Sequence, residues 1–113
     1  MHSCRAGGAV FSLAFADVSA PAQVAVVLAA LRVAAQGNLG GAVTARPWTA
    51  RGATPNEQSA LVRIDGHLPD GKRVVEHAAF FVKGLRLYQA TALGESLDAD
   101  ALDSFFDSIQ VVS

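Results

Sequence analysis

The chain has 113 residues, 51% of them hydrophobic and 17% charged, with a formal net charge of −1. That apolar supply excludes a disordered chain, and the length gives room for one domain around one core. Acids and bases are interspersed without a basic tract or an acidic tail, so no nucleic-acid partner is expected.

Residues 1–8 carry no periodic pattern and are expected to be disordered or frayed, with a single α/β domain over residues 9–113. Arg5, the stretch 6–16 and Val18-Ser19-Ala20 have the outline of a signal peptide, but Pro21 just after the cut opposes that reading. Cys4 is the only cysteine, which rules out an intrachain disulfide and leaves a free thiol or an intermolecular bridge. The longest apolar run in the helical region, residues 24–31, falls far short of the roughly 20 residues of a membrane span.

Residues 9–18 alternate with period two. Phe11, Leu13 and Phe15 point one way, Val10, Ser12, Ala14 and Ala16 the other, which predicts a strand with its bulky face on a core. Ser19 as N-cap and Pro21 in the first turn open a helix to about Gln36. Val24, Val27, Leu28, Leu31 and Ala35 form its stripe, and Gly37-Asn38 its stop. Val26 and Val33 fall off the stripe, through breadth of burial or as a second contact surface such as a homodimer interface. Residues 42–49 are extended, and Pro47, which cannot donate to a ladder, marks an edge or bulged strand. Residues 51–57 read as a loop.

Residues 59–68 and 73–83 are strands joined by Pro69-Asp70-Gly71-Lys72, a strong hairpin signal. Lys83-Gly84 turns the chain into a further strand over 85–93. Ser96 or Asp98 caps a last helix with the stripe Leu102, Phe105, Phe106 and Ile109, and Val111 and Val112 add a short extended piece. The order β-α-β-β-β-β-α predicts an α+β fold, an antiparallel sheet of about five strands packed with two α-helices as an αβ sandwich.

The hairpin carries the densest set of polar groups. A two-residue loop would set Asp65 opposite Glu76, an unfavourable pair of carboxylates. A three-residue loop sets Arg63 opposite His77 and puts Arg63, Asp65, His67 and His77 on one face. It also groups Val74, Ala78, Phe80 and Val82 with Val62 and Ile64, at the expense of aiming Glu76 toward the apolar side. His67 and His77 with Asp65 are candidate metal ligands or an acid–base cluster, although no motif of diagnostic spacing supports them. Trp48 beside the expected edge strand, with Arg46 and Arg51 nearby, is a candidate rim for a protein or an anion. Gly94-Glu95-Ser96 lacks the second glycine of a nucleophile elbow, Gly7-Gly8 and Gly40-Gly41 are too sparse for a phosphate loop, and no cofactor is implied.

The runs Asp70-Gly71-Lys72-Arg73, residues 79–89 (Ala-Phe-Phe-Val-Lys-Gly-Leu-Arg-Leu-Tyr-Gln) and residues 103–109 (Asp-Ser-Phe-Phe-Asp-Ser-Ile) resemble small bacterial proteins of the PsbP/Mog-like type. The likeness extends over roughly residues 9–112. It implies a non-catalytic binding or accessory domain of the cell envelope, acting through a protein partner or a homodimer. Proteins of that type usually have strands upstream, often behind a signal or lipoprotein segment. A periplasmic or secreted location is therefore expected if such a segment precedes Met1, and a cytoplasmic one otherwise. The alternative reading is a small metal-binding protein or metal-dependent enzyme using the His/Asp cluster.

Overall fold

A computed structural model describes residues 2–6, 9–39, 42–95 and 99–111, apart from the side chains of 2–6, Gln36, Asn38 and Leu39. The alternating segments form six strands: β1 (His2–Ala6), β2 (Ala9–Asp17), β3 (Ala42–Pro47), β4 (Ala60–His67), β5 (Arg73–Lys83) and β6 (Arg86–Gly94). They make one antiparallel sheet in the order β1-β2-β6-β5-β4-β3. Helix α1 (Val24–Leu39), entered through a 3-10 turn at Pro21–Gln23, packs on one face. Helix α2 (Ala99–Asp107) packs on the other, beside Trp48, Ala50 and Ala53. The fold is α+β, with the sheet as the middle layer.

Within the segment expected to be frayed, His2–Ala6 is instead a strand whose backbone pairs with β2 from His2↔Leu13 to Ala6↔Ala9. Without it, the outer edge of β2 would be bare. Gly7 and Gly8, which separate the two strands in sequence, lie outside the described residues.

The β4–β5 register sets Arg63 opposite His77, as the three-residue loop requires. Gly71 adopts φ +89, its N–H donates to Leu68 O at 2.9 Å, and the Leu68 N–H donates to Lys72 O at 2.8 Å. The Asp70 carboxylate accepts from the Lys72 N–H at 3.0 Å. A type I turn followed by a left-handed residue has this form, and glycine takes that position without strain.

Burial on both faces explains why residues 78–82 are continuously apolar. Ala78, Phe80 and Val82 enter the α1-side core with Leu28, Val62, Ile64 and Leu87. Ala79 and Phe81 enter the α2-side core with Ala90, Ala92 and Phe106. In β2 the bulky side, Phe11 and Leu13, packs on the α2 side.

Helix α1 continues through Gly37 and Asn38 to Leu39 instead of stopping near Gln36. Glycine costs a helix interior about 1 kcal/mol but does not by itself end it. Ser19 does not cap the helix: Ala20 is the N-cap residue of the 3-10 turn. The Gln23 carboxamide oxygen reaches back to accept from the N–H groups of Ser19 (2.9 Å) and Ala20 (3.2 Å). The capping roles assigned to Ser96 and Asp98, and the extension at Val112, lie outside the described residues.

Glu76 stands on the α1 side between Ile64 and Leu93, where the three-residue loop aims it. Burial pushes its carboxyl above the ordinary 4.5. Folding thus favours the protonated form, so this group's contribution is fully present below its unfolded value and is lost as pH rises through the raised one. Glu76→Gln is expected to raise the melting temperature near pH 7 and to leave it unchanged below about pH 4. Melts at the two pH values check this; an equal shift at both would make the effect one of packing rather than charge.

Candidate functional site

Period-two alternation sends the odd-numbered residues of β4 and β5 toward the α2 side. There they meet β3, whose Thr44 and Arg46 lie opposite Arg63 and Leu61. Between these strands and α2 lies an open cleft of about 710 Å³. Leu61, Val75, Leu102 and Phe106 supply its apolar lining. Arg46, Arg63 and Arg73 supply its strand side, one from each of three neighbouring strands, around His77. Asp103 of α2 and Glu95, just past β6, supply the other side.

The two sides differ in charge. Asp65 holds two of the guanidiniums, Arg63 at 3.2 Å and Arg73 at 3.9 Å. Glu95 pairs with Lys72 of the hairpin turn at 3.5 Å. These pairs are exposed and contribute little stability. Among the described residues, no ion pair joins the arginine side to Asp103 or Glu95. His77 is half-buried between them. Burial first, and then the Arg63 guanidinium, push its imidazole below the ordinary 6.5, against a smaller pull from Asp65. It is therefore neutral at neutral pH, a hydrogen-bonding group rather than a fourth positive charge.

The structure brings together Arg46, Arg63 and His77 from the sequence candidates, with Asp65 tied to Arg63. His67 shares their face but not their place. It lies opposite Arg73, four residues along the ladder from His77, or about 13 Å at the rise of a strand. It is exposed and does not line the cleft. Among the described residues, no group of three or more His, Cys, Asp or Glu side chains is placed to hold a metal ion. His67, Asp65 and His77 therefore share a face without converging.

Trp48 is half-buried, edge-on to Phe81 at 5.8 Å and to Phe106 at 6.2 Å. With Arg51 it lines a separate pocket of about 290 Å³ that borders Phe106. Trp48 and Arg51 thus lie outside the main cleft, and Trp48 serves mainly as core. On the outer face of α1, Val26 is 70% and Val33 67% exposed, so neither belongs to a broadened buried stripe.

Sequence reasoning missed Arg73, Glu95 and Asp103. Arg73 shares parity with His77 along β5. Asp103 precedes Phe106 by three residues, on the same helical face. Those signals were present, but they meet only once α2 is placed over the sheet. No family model, no curated protein and no solved structure matches the chain.

Proposed function

We propose that the chain is a non-catalytic binding domain that holds an acidic segment of a protein partner in the cleft beneath α2. The observation that carries this reading is the gathering of Arg46, Arg63 and Arg73 over an apolar floor, with only Asp65 shared between two of them. Guanidiniums on neighbouring strands present forked donors suited to carboxylates. Neutral His77 adds a directed hydrogen bond without a fixed charge. The resemblance to PsbP/Mog-like proteins supports the same class of function.

The test is titration with a blocked tetraglutamate peptide, followed by NMR of the wild type and of an Arg46→Gln, Arg63→Gln double variant. Shifts are expected at His77, Thr44 and Leu102. Charge-assisted hydrogen bonds contribute about 1.5–3 kcal/mol each, so the double variant should bind at least about tenfold more weakly. Binding should also weaken with added salt. Shifts spread evenly over the surface, or equal affinity in the variant, would overturn the proposal.

A further inference from the structure

The edge of the sheet beside this cleft has its own chemistry. β3 is the last strand in the sheet order, and beyond it no strand pairs among the described residues. All six of its residues are exposed. In an antiparallel ladder every second residue turns its N–H and C=O away from the neighbouring strand, so β3 presents a row of donors and acceptors that no described strand meets. Thr44 and Arg46 of this strand also line the cleft.

We infer that the partner segment binds in extended form, as a strand added to the outer edge of β3, with an acidic side chain beside Arg46. This rests on the binding role proposed for the cleft and names how the partner is held. An added strand would place its side chains about 4.5–5.5 Å from those of β3, and every second one would stand at the mouth of the cleft next to Thr44 and Arg46. Pro47 has no N–H to donate, so the useful edge ends there. It spans residues 42–46, which matches an extended segment of about five residues, roughly 17 Å long.

Charge selects the occupant. β3 carries one arginine and no acid in the sequence Ala-Val-Thr-Ala-Arg-Pro. A second copy pairing through the same strand offers nothing to neutralise Arg46 and adds a second arginine to the edge. A segment carrying glutamate or aspartate at alternate positions complements it.

The test leaves the protein unaltered, so folding is not in question. A blocked hexapeptide alternating valine and glutamate is the probe, compared with two analogues N-methylated at one or the other set of alternate residues. Slowed amide exchange on β3 is expected with the parent peptide. One N-methylated analogue is expected to bind at least about tenfold more weakly and the other within about twofold, because only one set of N–H groups can face β3. Equal binding by both analogues would overturn strand addition while leaving the charged cleft standing. Failure of all three peptides to bind would overturn both. Protection of β3 amides that rises with protein concentration in the absence of peptide would give the edge to a second copy, and would also overturn the inference.

Discussion

Replacing Phe81 by alanine is expected to destabilise the domain by about 3–5 kcal/mol. The side chain is 1% exposed. Its ring stacks on Tyr88 at 5.0 Å with an interplanar angle of 10°, and Trp48 meets it edge-on at 5.8 Å. Tyr88 is fixed by its place opposite Phe81 in the β5–β6 ladder, so the hole has little freedom to collapse. Domains of this size have about 5–15 kcal/mol in total, so the variant should sit close to unfolding. Urea unfolding monitored through Trp48, the sole tryptophan, measures the loss. A change below about 1.5 kcal/mol would mean that this layer of the α2-side core repacks around the lost ring.

Gly52→Ala is expected to have the second largest effect, through the backbone rather than the core. Gly52 holds φ +83, and a Cβ there would collide with the Val111 carbonyl oxygen. Strain in that region costs about 1–3 kcal/mol, and the collision adds to it. The neighbouring contacts show what must move. The Val111 N–H donates to Arg51 O at 2.8 Å, and Arg51 bridges Gln110 in parallel. The substitution should therefore loosen residues 109–111 and the end of α2. Amide exchange at Val111 and the melting temperature check this; an unchanged exchange rate with a normal melt would refute it.

The hairpin was the most legible part of the chain, because turn chemistry and alternation agree there. Pro69-Asp70-Gly71 suits a three-residue loop, and that register groups Val62 and Ile64 with Ala78 and Phe80. Even its one awkward consequence, Glu76 on the α1 side, is retained by the fold. β1 was not legible: His2, Ser3, Cys4 and Arg5 show no apolar alternation, and its strand character comes from pairing with β2. The continuous apolar run in β5 signalled burial without saying that each face has its own helix. The cleft was half legible for a related reason. Arg46, Arg63 and His77 could be grouped from strand parity, whereas Asp103 and Glu95 join them only through the placement of elements distant in sequence. His67 and His77 looked like a pair because parity reports a shared face and says nothing of distance along it.

The antiparallel ladder also implies an order of assembly. β4, β5 and β6 are consecutive and joined by tight turns, so their contacts are local. β2 reaches β6 only by bringing Asp17 to Arg86, 69 residues away, where they form a hydrogen bond of 2.8 Å. Closing that loop loses about 2 kcal/mol more chain entropy than closing the β4–β5 turn. Non-local pairings of this kind slow folding, because their entropy is lost before their contacts form. The three-strand meander is thus the natural nucleus, seeded at Pro69–Asp70–Gly71, with β2 and then β1 added to a surface that already exists.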